Sequence, residues 1–182
     1  MGNTVPCLII MRRILNSESF SQALQAVLQA KTTVSGNFFI AHRDGEAISL
    51  EMSPVDTGFL YPEDGILTHS NHFIALSNRD NFTDILKSLY PDTLFRHQRA
   101  RHLLEPETGH VDVSSFQHVF QDHFSYPNSI CRHPDERVDG IKQWVTLYSA
   151  IMDLSEPAMY VARGYTCQSE YEKVDCSDLF RK

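Results

Sequence analysis

Between Gly36 and Met52 the chain repeats with a period of two residues rather than 3.6. Gly36-Asn37-Phe38-Phe39-Ile40-Ala41-His42 is a short apolar run, and Ala47-Ile48-Ser49-Leu50-Glu51-Met52 alternates apolar with polar side chains. Arg43-Asp44-Gly45-Glu46 separates them, and its Asp-Gly dipeptide suits a tight hairpin turn. Further strands are expected over Thr57 to Tyr61 and, past the Pro62-Glu63-Asp64-Gly65 turn, over Ile66 to Phe73. The spacing therefore predicts an antiparallel meander of four strands, which needs a cover on its apolar face.

The flanks supply that cover. Pro6 to Ala30 reads as two helices, the first carrying a stripe of Leu8, Met11, Ile14 and Leu15. Ser19 followed by Gln22 reads as a capping box for the second, which carries Phe20, Ala23, Leu24, Val27 and Leu28. From about Asp80 the pattern is helical again: Ile85 to Leu89, then Leu94 to Leu104 behind an Asp92 cap. A further helix over Val113 to His123 is capped by Asp112 or Ser114, with Phe116, Val119 and Phe120 facing inward. Pro127 to Gly140 reads as a surface loop, Trp144 to Leu154 and Met159 to Arg163 as strands, and the tail after Tyr171 as irregular. Phe38, Phe39, Trp144 and Tyr148 are most simply core. No repeat or linker divides the 182 residues, so the expected organisation is a single α+β domain, an antiparallel sheet covered by helices.

Composition narrows the function. Sixteen basic residues against 23 acidic ones leave a charge of −7, which disfavours nucleic acid and anionic membrane as partners. The longest uncharged apolar stretch, Val5 to Met11, falls far short of the roughly 20 residues of a membrane span. No secretory leader pattern is present, and Phe180-Arg181-Lys182 is not a peroxisomal SKL-type address, so the cytoplasm is the default location. Cys7, Cys131, Cys167 and Cys176 form no CxxC pair, which points to reduced thiols rather than a disulfide framework or zinc knuckle. The sequon Asn81-Phe82-Thr83 is too common a pattern to alter this.

His69-Ser70-Asn71-His72 is the densest polar cluster where strand alternation wants apolar residues. An Asn amide can donate to a carbonyl oxygen that is becoming an oxyanion; the plainer reading is an Asn-His pair bonded to nearby backbone. Arg96 and Arg99, one turn apart on a helix, suit a carboxylate or phosphate group, although a solvated face with ion pairs explains them equally simply. Cys131-Arg132-His133 suggests a thiol–imidazole couple, but neighbours in sequence rarely place both groups productively. His69, His72 and His133 are a weaker metal-binding alternative, and no metal site is expected. Phosphate-binding glycine loops and the GxSxG serine motif are absent.

An ordered series of stretches adds to this: Pro6-Cys7-Leu8-Ile9-Ile10-Met11-Arg12-Arg13, Ser35-Gly36-Asn37-Phe38-Phe39, Leu50-Glu51 and Pro62-Glu63-Asp64-Gly65 through His69-Ser70-Asn71-His72-Phe73. Asp92-Thr93-Leu94-Phe95-Arg96, Tyr126-Pro127-Asn128-Ser129-Ile130-Cys131 and Ser149-Ala150-Ile151-Met152-Asp153 continue it. Together they resemble the acyl-coenzyme A:6-aminopenicillanate acyltransferase (isopenicillin N acyltransferase-like) family of N-terminal-nucleophile cysteine hydrolases, in its C-terminal half only. The resemblance implies part of a four-layer αββα sandwich, made as a precursor that cleaves itself to expose a cysteine nucleophile. Such enzymes hydrolyse non-peptide amides or pass the acyl group to another amine, without a cofactor. It implies that Asn71 is the oxyanion-binding residue and that Arg96 or Arg99 orients the substrate. Thr93 stands where members often carry Ser, and with His69 it joins the expected substrate-binding residues.

The nucleophile itself finds no match. Cys7 precedes Leu8, Cys131 precedes Arg132, Cys167 precedes Gln168, and Cys176, which precedes Ser177, lies in the tail. The expected function is thus the C-terminal part of an amidohydrolase or acyltransferase whose attacking cysteine lies upstream. Its partners would be a small-molecule amide or acyl donor and either the missing half or a second copy across the exposed sheet. The alternative is a catalytically dead paralogue acting as a binding or dimerisation module.

Overall fold

The computed structural model describes residues 4–77, 79, 83–140 and 143–179. Asn81-Phe82 of the sequon and the terminal Phe180-Arg181-Lys182 lie outside them. The chain forms two compact units, one up to Leu89 and one from Tyr90.

In the first unit, β1 (Gly36–Ala41), β2 (Ala47–Met52) and β3 (Thr57–Leu60) form an antiparallel sheet in that order. The hairpin reads true, in a three-residue version: His42 and Glu46 close it, and Gly45 takes the positive φ of 95°. Register sets Phe38 opposite Leu50, Ile40 opposite Ile48 and Leu50 opposite Phe59, so one face is apolar. Helices α1 (Cys7–Leu15) and α2 (Phe20–Leu28) supply its cover, with Ile10, Ala23 and Val27 joining Phe38, Ile40, Ile48, Leu50 and Met52 in one core. The Ser19 side chain accepts from the Gln22 N–H at 3.2 Å, as the cap predicts, while the Gln22 side chain accepts from Glu18 rather than from the cap residue.

Three expectations fail here. The buried side of α1 is Ile10, flanked by Cys7 and Ile14, while Leu8, Met11 and Leu15 are exposed. Apolar residues surround so much of this nine-residue helix that its sequence does not single out one stripe. Residues 66–73 form no strand. The turn closes on a single Glu63–Ile66 bridge, with Asp64 and Gly65 both at positive φ, and the chain then leaves the ladder. At its end the Phe73 N–H donates to the Asp84 carboxylate at 2.7 Å instead of to a neighbouring strand. Phe39 is exposed, and it shares the second face of the sheet with Asn37, Ser49 and Glu51.

The second unit begins with α4 (Asp92–Leu104), which follows the short α3 (Ile85–Leu89) at the end of the first. Pro91, not Asp92, is the residue before the helix; Asp92 lies inside it and spends its carboxylate on arginines. Helix α5 (Val113–Phe120) is capped by Asp112, which accepts from Ser115 N–H at 3.0 Å while Ser115 Oγ accepts from Asp112 N–H. It buries Val119 with Phe116 and Phe120 half-buried, and it ends three residues before His123. A second antiparallel sheet has the order β4 (Tyr148–Asp153), β5 (Ala158–Arg163), β6 (Glu172–Asp175). The tail therefore contains a strand. Its four side chains are all exposed, so no burial pattern marked it, and the ladder to β5 with Cys176 N–H on the Pro157 carbonyl at 2.7 Å holds it. Trp144 lies before β4 and, like Tyr148, is exposed rather than core, although Trp144 rests on Tyr90 with ring centres 4.8 Å apart. The α+β class with antiparallel sheets is what the structure has.

Candidate functional site

Alternation along β2 sends Ser49 and Glu51 to the face away from the helices, yet both are fully buried. Burying a carboxylate without partners costs far more than one hydrogen bond returns, so its surroundings must be built for it. Glu51 has three donors. Oε1 accepts from His69 Nε2 at 2.8 Å and from Ile74 N–H at 2.6 Å, and Oε2 accepts from Leu76 N–H at 3.1 Å. The other ring nitrogen of His69 meets the Ser70 carbonyl at 2.7 Å. Burial pushes the Glu51 carboxyl up, but the His69 bond and the two backbone N–H groups outweigh it and leave the pKa below the usual range.

These bonds fix residues 69–76 at both ends on one buried charge. Gly58, directly across from Glu51, makes room for that: a Cβ there would lie 2.7 Å from Ala75 Cβ and 3.3 Å from Glu51 Oε2. Asn71 occupies the middle of the clamped segment and is exposed, while His72 beside it is buried, its Nδ1 3.2 Å from Ser70 Oγ. Asn71 thus lies on a loop rather than at the end of a strand. His69, expected among substrate-binding residues, is bonded to Glu51 and buried.

In the second unit the arginines diverge. Arg96 donates to Asp92 at 2.9 Å one turn back, and Arg132 donates to the other oxygen of the same carboxylate at 3.0 Å and to Asn128 at 2.6 Å. Desolvation lowers the Arg96 pKa despite the opposing pull of Asp92. Arg99 donates through Nε and Nη2 to Asp122, at 3.0 and 2.8 Å, and lies 5.4 Å from the centre of the Phe124 ring. Its Asp122 bond raises its pKa. Thr93 is fully buried on α4. Both guanidinium groups therefore hold the unit's own carboxylates.

A family model described as "Acyl-coenzyme A:6-aminopenicillanic acid acyl-transferase" matches residues 1–166. The chain belongs to this acyl-transferase family. A relative from Emericella nidulans, the acyl-coenzyme A:6-aminopenicillanic-acid-acyltransferase 40 kDa form, is 29% identical over 150 residues. That alignment covers 82% of this chain but 40% of the relative, so the chain spans less than half the length of the protein it matches.

Of the residues around the 69–76 loop, Glu51 is the one that the sequence pattern does not mark as buried. Its signal was present in the alternation, but an acidic residue on the polar side of a strand reads as solvent-facing until the loop that covers it is known. Cysteine and histidine also meet where adjacency argued against it: Cys131 Sγ is 3.6 Å from His133 Nε2. Cys131 is nevertheless fully buried, and the Cys167 thiol nearby is pushed up by burial and by Cys131. An attacking cysteine needs access, which Cys131 lacks, and a lowered pKa, the opposite of the shift at Cys167. Among the described residues no helix is long and apolar enough to cross a membrane.

Proposed function

We propose that this chain is the carbonyl-polarising part of a cysteine amidohydrolase or acyltransferase acting on non-peptide amides, with its attacking sulfur on polypeptide upstream. In this reading it contributes to one αββα sandwich. The observation that carries the proposal is the loop built on Glu51. Asn71 lies on a segment fixed at His69, Ile74 and Leu76 to one buried carboxylate. A donor that is held before reaction stabilises a developing oxyanion without paying for reorganisation at that moment. Asn71 is exposed on such a loop, where a substrate carbonyl can reach it. Of the two arginines, Arg99 is the more open and Arg96 the more enclosed, which favours Arg99 as the substrate-orienting residue.

The chain alone is expected to show no turnover of chromogenic or fluorogenic amides. Supplied with the portion of the Emericella nidulans relative that it does not cover, it should gain activity. Asn71→Ala in this chain should then lower kcat by roughly 10²–10³-fold with a much smaller change in KM. Turnover by the chain alone that one Cys→Ser change abolishes would place the nucleophile here and overturn the proposal. Restored turnover indifferent to Asn71→Ala would remove the oxyanion role.

A further inference from the structure

The second unit gathers four metal-binding side chains that acyl transfer does not use. His123 follows the end of α5, Cys131 and His133 lie in the loop beyond it, and Cys167 lies in the turn after β5. Their ligand atoms all fall within 4.8 Å of one another. His133 Nε2 is 3.1 Å from His123 Nε2, 3.6 Å from Cys131 Sγ and 3.4 Å from Cys167 Sγ.

Hydrogen bonding accounts for this arrangement only in part. The two thiols bond to each other, but a ring nitrogen has either one proton or one lone pair, so His133 Nε2 pairs fully with one of its three neighbours. Four lone pairs converging on one point are instead what a cation satisfies. With Zn–N near 2.05 Å and Zn–S near 2.3 Å, the edges of a tetrahedron of two nitrogens and two sulfurs are about 3.3–3.8 Å. Two of the separations around His133, 3.4 and 3.6 Å, lie within that range, and the third, 3.1 Å, is slightly shorter.

The surroundings are built to hold the ligands in place. Cys131 N–H donates to the Asp122 carbonyl at 3.0 Å, Ser129 Oγ donates to the Cys131 carbonyl at 2.6 Å, and His133 N–H donates to the Pro127 carbonyl at 3.0 Å. The Thr166 hydroxyl donates to the Phe120 carbonyl and Gln121 Nε2 to the Thr166 carbonyl at 3.3 Å, which ties the Cys167 turn to the end of α5. Tyr165 stacks on His133 with ring centres 4.3 Å apart. Cys131 and His133 are buried.

We propose that His123, Cys131, His133 and Cys167 form a tetrahedral zinc site that clamps the turn after β5 to the loop after α5. Two thiol protons leave to solvent as the two thiolates bind, so the loaded site is formally neutral: Zn²⁺ with two thiolates and two neutral imidazoles. All four positions are protein side chains, which marks a closed structural site rather than one that activates water. Zinc fits better than harder cations because sulfur and nitrogen are its ligands and the set is tetrahedral. The site is independent of the acyl-transfer reading and stands or falls separately from it.

The 182-residue chain, produced with zinc and dialysed against metal-free buffer, is expected to retain about one zinc per chain. Cobalt(II) added to the stripped chain should give the intense visible bands of tetrahedral coordination together with thiolate-to-cobalt charge transfer. Cys131→Ala and Cys167→Ala should abolish both, Cys7→Ser and Cys176→Ser should leave both intact, and Cys167→His should keep a tetrahedral spectrum with weaker charge transfer. Failure of the unmutated chain to retain zinc, a weak six-coordinate cobalt spectrum, or a Cys131–Cys167 disulfide in the purified protein would overturn the site. The cobalt spectrum of the unmutated chain decides the matter even where an alanine variant does not fold.

Discussion

Glu51 brings a carboxylate to the middle of a sheet and surrounds it with three donors, so its stability effect depends on pH in a calculable direction. Its folded pKa lies below the ordinary carboxylate range, so the unfolded chain takes up its proton first as pH falls. The contribution is therefore complete above the unfolded value of about 4.3 and is lost as pH drops through the lower folded value. Glu51→Gln keeps the shape but removes the negative charge that His69 bonds and sets an amide nitrogen, which cannot accept, against one of the two backbone N–H donors. Breaking a buried pair from one side costs about 3–5 kcal/mol, and urea denaturation at neutral pH should show a loss of that order. The same measurement in acid should show the gap between wild type and variant narrowing, because protonation deprives the wild type of the interaction the variant already lacks. A gap constant from pH 7 to pH 3 would mean that the carboxylate is not the charged anchor of the loop.

The elements most legible in the sequence were those whose hydrogen bonds are local. The hairpin turn, the Ser19 cap and the Asp112 cap each satisfy backbone groups within a few residues, and each is where the pattern put it. Residues 66–73 were misread because remote side chains hold them: His69 bonds Glu51, earlier in the chain, and the Phe73 N–H donates to Asp84 at 2.7 Å, and such side-chain bonds leave no periodic trace. Cys131 and His133 stand out as near neighbours, but the other two members of their cluster escaped for the same reason: His123 and Cys167 are far apart in sequence, and zinc motifs are recognised by short spacings. The fit of the 74–76 segment over the sheet gives an element-scale prediction. Gly58→Ala would set a methyl group 2.7 Å from Ala75 Cβ and 3.0 Å from Leu76 Cγ, closer than packed carbons tolerate. Over-packing of this kind costs about 1–3 kcal/mol, and the lifted loop should exchange its Leu76 amide proton faster. Gly36→Ala in β1, where a Cβ meets nothing within 4 Å, is the control and should shift the urea midpoint by less than about 0.5 kcal/mol. Equal effects of the two changes would show that contact with the loop does not set the requirement for glycine.

Each unit leaves one face of its sheet partly uncovered, and this has a consequence for the molecule in solution. In the first, Phe39 is 48% exposed on the face that also bears Glu51; in the second, Tyr148 and Met152 are 67% and 65% exposed at alternate positions of β4. Apolar side chains standing together on a sheet face, beside outer strands with open backbone edges, favour association. A charge of −7 opposes it, but repulsion between exposed charges is weakened beyond a Debye length of about 8 Å at physiological salt. Short-range apolar contact should therefore win at moderate protein concentration. The chain by itself is expected to sediment above its monomer mass of 20.8 kDa at tens of micromolar and to bind a hydrophobic dye. Phe39→Lys with Met152→Lys should return it to monomer and reduce dye binding, with little loss of stability because neither side chain is buried. On the proposed reading, adding the portion of the relative that this chain does not cover should also shield these faces and lower dye uptake. A chain that is monomeric and dye-silent at those concentrations would mean that the faces are tolerated in water and need no further polypeptide.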